Sequence, residues 1–141
     1  MKTMAERAAF VVIADDANTS FNGKLNLSGI YTQDLAIPAE PFLANQLLFV
    51  FHLETDVTDP FKKLEVEITF PGEQPRRTVV PLPPFPAAPP ERTRQTITLT
   101  IPCIYVQLRL GKIDVKVTHE KGTINVVAPW ITQLQPPANV S

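Results

Sequence analysis

Cysteine and histidine are scarce in this sequence of 141 residues, which has one cysteine, Cys103, and two histidines, His52 and His119. A single cysteine excludes an internal disulfide, and no Cys-x-x-Cys, His-x-His or His-Glu-x-x-His spacing offers a zinc site. Nor is there a G-x-S-x-G nucleophile motif or a phosphate-binding loop. Cys103 follows Pro102 and is interpreted as a small buried hydrophobic residue. We therefore expect no catalytic residue, no metal site and no cofactor.

Excess charge of one sign is also lacking, since 13 basic residues face 14 acidic ones and the net charge is −1. Proteins that bind nucleic acids usually show a clear basic excess. The longest apolar runs, residues 8–14 and 47–51, fall far short of the ~20 residues that cross a bilayer. We expect a protein that binds neither nucleic acid nor membrane.

The N-terminus has some features of a secretion signal, because Lys2 and Arg7 precede a short apolar run. However, Glu6 interrupts the basic region, and Asp15 and Asp16 occupy the place of a small-residue cleavage site. We expect the run to be a buried first strand, and the protein to be cytoplasmic, or part of a virion if a phage encodes it.

A helical period is missing from every window of 11 or more residues, and a period of two dominates instead. Alternating apolar residues predict half-buried strands with one wet face in four segments, residues 63–70, 96–101, 104–110 and 112–117. In the third segment, Ile104, Val106, Leu108 and Leu110 are expected on one face. The runs 8–14 and 47–53 are apolar throughout, which favours strands covered on both sides or central in a sheet.

Further strands are predicted at residues 24–32, at 76–82 as an edge strand, and at 123–128 paired with 112–118. Fifteen prolines punctuate these short elements. The pattern indicates an all-β protein, a single antiparallel β-sandwich of about eight or nine short strands over residues 1–134, followed by a tail at 135–141. A small closed barrel is the alternative.

Oxygen-rich side chains crowd the segment 13–32, beginning with Asp15, Asp16, Asn18 and Ser20. A helix–loop–helix calcium site counted from Asp16 would need glycine at position 6 and glutamate at position 12, where Phe21 and Leu27 stand. Asn22-Gly23 is a strong hairpin-turn signal. Turn chemistry is therefore the favoured interpretation, with a divalent-cation site as the alternative.

This segment resembles the opening of a family of small uncharacterised bacterial and phage all-β proteins. Its members begin with an apolar run, an acidic residue, an NGK turn and an L-x-G-[IV]-[YF] strand. The matching residues here are Asp15 or Asp16, Asn22, Gly23, Lys24, Leu27, Gly29, Ile30 and Tyr31. The hairpin at 111–122 is a second similarity. The resemblance covers about the first quarter and the last fifth of the chain. It implies the fold and brings no known activity.

A proline-rich segment, PLPPFPAAPP at residues 81–90, has the PxxP spacing of a polyproline II ligand. Arginines flank it on both sides. It is either a stiff crossover between strands or an arm that docks on a partner or a neighbouring subunit. The residues expected to carry such an interaction are Pro83, Pro84, Phe85, Pro86, Arg92, Arg94 and Trp130.

These observations favour a non-enzymatic structural or protein-interaction module that self-associates or joins a larger assembly, such as a phage particle. A small-ligand or carbohydrate-binding sandwich is the alternative, with Tyr31, Phe85, Tyr105 and Trp130 as its candidate aromatics. A hydrolase that uses Asp15 and Asp16 is the least favoured.

Overall fold

A computed structural model describes residues 7–20, 24–82 and 89–135. All regular structure in these ranges is β-strand. The strands are β1 (Ala8–Thr19), β2 (Leu25–Ile30), β3 (Leu35–Ile37), β4 (Phe42–Asp56), β5 (Leu64–Thr69), β6 (Arg76–Val80), β7 (Arg94–Leu108), β8 (Gly111–Lys112), β9 (Asp114–His119), β10 (Gly122–Val126) and β11 (Trp130–Gln133). The expected all-β fold class is confirmed, with eleven strands rather than eight or nine.

The strands form three sheets. The front sheet has the order β2-β1-β4-β7 and the back sheet the order β10-β9-β5-β6, and all neighbours in both are antiparallel. In the small sheet, β11 lies between β3, which is parallel to it, and β8, which is antiparallel. Within the described ranges none of the sheets closes into a barrel, so the architecture is sandwich-like.

One hydrophobic core lies between the front and back sheets. Leu47, Phe49, Phe51 and Leu53 alternate along β4 and are at most 1% exposed. On the back sheet Leu64, Val66 and Ile68 do the same, and Phe70 meets Phe49 edge to face with 5.8 Å between ring centroids. Burial of each such side chain contributes roughly 1.5–3 kcal/mol, so this interleaving is the main source of stability.

The alternation predicted for residues 104–110 is interrupted. Ile101 and Cys103 face the core, yet Ile104 is 50% exposed, and Val106 and Leu108 are buried. Odd-numbered side chains therefore point into the core before Tyr105, and even-numbered side chains do so after it. The φ of Tyr105 is 54°, which lies in the left-handed region. Pairing with β4 keeps one register on both sides of this point, as Gln46↔Ile104 and Ala44↔Val106.

Cys103 was expected between two strands and lies instead within the continuous 15-residue strand β7. Proline is tolerated at Pro102 because β7 is an edge strand of the front sheet, where one side of the backbone has no strand to pair with. Burial raises the pKa of the Cys103 thiol to about 11. The thiol is therefore protonated near neutral pH. Cys103 is buried, as the sequence interpretation expected.

Candidate interaction surfaces

The outward-facing side of the front sheet is apolar over its centre. Because directly paired residues project to the same side of a sheet, the register defines its rows. One row is Ile30, Ala14, Leu48 and Pro102, and the next is Val12, Val50 and Thr100. Phe10, His52 and Thr98 follow at one end, and Gln46 and Ile104 at the other. We call these side chains the front outer face.

Large apolar side chains protrude from this face. Phe10 is 59% exposed, Val12 41%, Ile30 47% and Ile104 50%, although Leu48 and Val50 between them are screened. The outer part of the β1–β2 hairpin borders the face. Together with Gln46, Leu48, Thr100 and Pro102 it encloses a shallow groove of about 370 Å³.

The corresponding side of the back sheet is polar. Its register rows are Val79, Glu65, Thr118 and Thr123, then Arg77, Glu67, Lys116 and Asn125. Arg77 and Glu67 form an ion pair at 3.4 Å. Only the front sheet thus departs from the usual pattern of one buried and one wet face.

Sequence reasoning missed the front outer face because it interpreted runs 8–14 and 47–53 as central or covered on both sides. Both runs are central in the front sheet, as expected. The alternative, cover on both sides, does not hold at Phe10 and Val12, which are exposed, although Ala14, Leu48 and Val50 are buried. A useful signal was present: a two-layer fold without helices has nothing to cover the second face of a fully apolar strand.

Trp130 lies in a second groove, at the side of the molecule where β1 approaches β10. This groove of about 450 Å³ has an apolar part made by Val11, Val127, Pro129 and the ring of Trp130. Tyr31, Thr32, Gln33 and Asp34 form the other wall. The Trp130 backbone N–H donates to Asp34 Oδ1 at 3.0 Å, which fixes one wall to the other. We call this site the Trp130 groove.

The groove brings together two of the four aromatic candidates, Tyr31 and Trp130. Tyr105 lies on β7 and does not line it, and Phe85 lies outside the described residues. Trp130 is 52% exposed, so its ring is available for stacking. Binding of a small ligand or a carbohydrate stays a prediction.

The acidic pair at the end of β1 has structural partners. Tyr31 donates its hydroxyl proton to Asp15 Oδ1 at 2.7 Å, and Asp16 Oδ1 accepts from the Ala17 N–H at 2.8 Å. Burial and this hydrogen bond raise the pKa of Tyr31 to about 12. Within the described ranges no group of three or more His, Cys, Asp or Glu residues is placed to hold a metal ion.

Gly29 explains part of the motif that prompted the family resemblance. Its φ is +68°, and a Cβ placed there would lie 2.8 Å from Asp15 Cγ and 2.9 Å from Asp15 Cβ. Asp15 thus fills the space that glycine leaves, and Tyr31 holds its carboxylate. The Asp15, Gly29 and Tyr31 combination is a packing device. Asn22 and Gly23, the predicted turn, lie outside the described residues, but β1 and β2 form the predicted hairpin.

Arg7 makes a network that the residue pattern did not predict. Its guanidinium is 2.8 Å from Glu120 Oε2 and 3.2 Å from Asp59 Oδ1, and lies over the Phe61 ring at 4.8 Å. It also donates to His119 Nδ1 at 2.8 Å. Its own Nε is buried and has no hydrogen-bond partner in the described part of the chain. The Arg7 side chain thereby joins the start of β1 to the β9–β10 turn.

This network shifts the pKa values of its members. The hydrogen bond from Arg7 lowers the pKa of Glu120 to about 2, and the hydrogen bond from Lys121 lowers that of Asp59. Burial and the neighbouring Arg7 charge lower the pKa of His119. The Nδ1 of His119 accepts hydrogen bonds from Arg7 and from the Lys121 N–H.

The residues predicted for an interacting arm are only partly described. Pro83, Pro84, Phe85 and Pro86 lie outside the described residues. Arg94 begins β7 and pairs with Asp56 at 3.1 Å and with Glu54 at 3.6 Å, whereas Arg92 is exposed. The structure does not bring Arg92 or Arg94 into the groove that contains Trp130.

Together these observations define an all-β, sandwich-like protein with an exposed apolar sheet face and an aromatic groove. The chain matches the model of DUF6941, a family of unknown function, over residues 9–128. That is most of its length, so the protein belongs to this family. Comparison with curated proteins and with solved structures gave no match. No helix in the described ranges is long and apolar enough to cross a membrane.

Proposed function

We propose that this protein is a non-enzymatic interaction module that self-associates through the front outer face. The single observation that supports this most is the contrast between the two sheets. The back sheet presents mainly charged and polar side chains to solvent, and the front sheet presents Phe10, Val12, Ile30 and Ile104. Exposed apolar patches with a polar border are typical of protein interaction sites.

A second copy of the chain is the occupant that best fits this face. Three strands spaced ~4.8 Å and about seven residues long cover roughly 330 Å² in projection, and Ile30 of β2 adds to this area. A standard interface buries ~800 Å² of accessible surface per partner, and the relief of the side chains and the bordering hairpin add to the projected area. The polar rim of Gln46, Thr98 and Thr100 supplies neutral hydrogen-bonding groups. Two such sheets would pack face to face about a two-fold axis.

The edge of the front sheet is less suited to this association. An exposed edge strand joins another chain through its unpaired N–H and C=O groups. Pro102 removes one N–H from β7, and proline on an edge is one of the features that discourage edge-to-edge pairing. This favours contact through the face.

The finer form of the proposal is a subunit of a larger particle, of bacterial or phage origin. The proposed origin is supported by the sequence resemblance described above, whose matching residues include Gly29 and Tyr31. If a phage encodes the protein, the particle would be the virion.

A pair of valine variants tests the proposed face. Val12→Lys adds a charge to the face at a position that is 41% exposed, so the lysine remains solvated in a single copy. Val79→Lys makes the same change on the back sheet, where the side chain is 72% exposed. We expect Val12→Lys to weaken self-association by about tenfold or more, as for the loss of an interface hot spot. Val79→Lys should leave it unchanged. Sedimentation equilibrium measures both, and equal dissociation constants for the two variants would contradict the proposal.

A further inference from the structure

We propose that the Trp130 groove binds the proline-rich segment 81–90 of a neighbouring copy of the same chain. The groove is separate from the front outer face, because its β1 residue, Val11, lies on the inward side of that strand and packs against the core. The inference therefore does not depend on association through the front sheet.

The chemistry of the groove fits an extended proline-rich ligand. Such ligands dock on aromatic-lined grooves, and their restricted backbone means that little conformational entropy is lost on binding. Trp130 and Tyr31 provide the aromatic walls, and Val127, at 92% exposure, extends the apolar surface. Gln33 and Thr32 on the opposite wall supply groups that can bond the carbonyls of a ligand that has few N–H groups.

Charge favours this particular ligand. The sequence 81–90 is followed by Arg92 and Arg94, and basic residues commonly flank proline-rich ligands that meet an acidic groove. Asp34 is exposed in the wall of the groove, and its Oδ1 is held by the Trp130 N–H. Arg92 is exposed at the end of the segment. An Asp34–Arg92 contact between copies would fix the direction of the bound segment.

Geometry favours binding between copies over binding within one. The segment joins β6, an edge of the back sheet, to β7, an edge of the front sheet. The groove lies on the other side of the molecule, where β1 meets β10, and β10 is the opposite edge of the back sheet. The back sheet has four strands, so its two edge strands are three interstrand spacings apart, which is about 14 Å.

The segment is too short to span that distance within one chain. Leu82 packs against the core and Pro89 leads into β7, so both ends are held near the same edge. Seven residue intervals of at most ~3.6 Å, going out and returning, reach about 12 Å. This falls short of the distance to β10. In the front sheet, Val11 lies two strands from β7 and level with Leu99, which is five residues beyond Arg94, so the groove is roughly 19 Å from the start of β7. A neighbouring molecule has no such restriction.

Binding of this kind would join unlike surfaces of two copies. Such heterologous contacts produce a ring when the rotation closes and a filament when it does not. A two-fold contact through the front outer face would instead produce a closed pair. The two contacts together would build a larger particle from one chain.

A synthetic peptide of residues 79–94 tests the inference directly. The protein has a single tryptophan, Trp130, and the peptide has none. Titration of the protein with the peptide should therefore change the fluorescence of Trp130 in a saturable manner. A peptide with every proline replaced by alanine is the control, and it should bind at least about tenfold more weakly.

Variants that keep the fluorescent residue locate the contact. Val127→Arg introduces a cation beside the groove at an exposed position, and Val79→Arg is the matched control on β6. We expect Val127→Arg to weaken peptide binding by about tenfold and Val79→Arg to leave it unchanged. Absence of a fluorescence change, together with absence of binding heat by calorimetry, would overturn the inference. Equal binding by both arginine variants would do so as well. Neither result would affect the sedimentation test of the front outer face.

Discussion

At the scale of single residues, the contact between Asp15, Gly29 and Tyr31 answers the question raised by the acidic pair in segment 13–32. An acidic residue followed by an L-x-G-x-Y strand looks in sequence like a row of possible ligands. In the structure the carboxylate of Asp15 occupies the space beside Gly29 and accepts the Tyr31 hydroxyl. Sequence reasoning favoured a turn with local hydrogen bonds over a calcium site, and Asp16 does bond the neighbouring Ala17 N–H. It could not identify Tyr31 as the partner, because that depends on strand register.

Replacement of Gly29 tests this packing. Gly29→Ala forces a positive φ on an L residue and brings its Cβ against both Cγ and Cβ of Asp15, so rotation of the carboxylate alone cannot relieve the contact. We expect it to lower the free energy of unfolding by about 2–4 kcal/mol. Gly122→Ala, at φ +152° with no atom within 4 Å, should lower it by about 1–2 kcal/mol. Urea denaturation measures both, and equal losses would show that Asp15 is not the obstacle.

A second cluster at this scale, around Arg7, makes stability depend on pH. Asp59 and Glu120 have pKa values below their ordinary 3.8 and 4.5. Their contribution to the free energy of unfolding is therefore fully present above those ordinary values, and it is lost as pH falls toward 2. The pKa of His119 lies below its ordinary 6.5. The unfolded chain therefore takes up that proton first as pH falls below 6.5. All three groups reduce stability in acid.

Arg7→Met should remove much of this pH dependence. Its guanidinium is only 7% exposed and bonds two carboxylates and His119, so we expect a loss of about 1–3 kcal/mol at neutral pH. The difference in stability between the variant and the unaltered protein should become smaller as pH falls from 6.5 to 2. Arg77→Met removes an arginine that is 65% exposed and should change stability by less than about 1 kcal/mol. Thermal unfolding across this pH range measures both, and a parallel shift at every pH would contradict the assignment.

At the scale of elements, β4 and β7 are 15 residues each and pair along their whole length in the front sheet. In both strands, the set of side chains that points into the core changes between odd and even positions, near Asn45 in β4 and at Tyr105 in β7. Backbone groups freed at this point have side-chain partners: the Ile104 carbonyl accepts from Arg76 at 3.1 Å, and the Gln107 N–H donates to Glu73 at 3.4 Å. Period-two patterns predicted most strands correctly, because a strand's faces follow directly from alternation. They failed at residues 104–110, since nothing in the pattern reports a single left-handed residue.

Tyr105 should therefore tolerate glycine. A tyrosine at φ 54° carries backbone strain that glycine avoids, and its side chain is 70% exposed, so little packing is lost. We expect Tyr105→Gly to leave the free energy of unfolding unchanged or to raise it by up to about 1 kcal/mol. Gln107→Gly, two positions along the same strand and exposed, should lower it by about 0.5–1 kcal/mol. Guanidinium denaturation of the two variants measures the difference, and a larger loss for Tyr105→Gly would contradict the face change.

At the scale of the whole molecule, the two sides of the sandwich differ in a way that composition could not reveal. The sequence shows 44% hydrophobic residues and a net charge of −1, which is ordinary for a globular chain. Only the topology shows that apolar side chains remain on the outer side of the front sheet, whereas that side of the back sheet is mainly polar. The sequence predicted the fold class, which is confirmed, and a self-associating module, which stays a prediction. It did not predict which surface would be used, because that depends on the order of strands within each sheet.

The most direct test of the central proposal is the solution mass of the unaltered protein, measured by light scattering behind a sizing column over a range of concentrations. Self-association through the front outer face predicts a mass that rises from the 15.6 kDa of one chain to at least twice that value as concentration increases. A mass that stays at 15.6 kDa at the highest concentration reached would contradict the proposal and leave the front outer face without a second copy as its occupant.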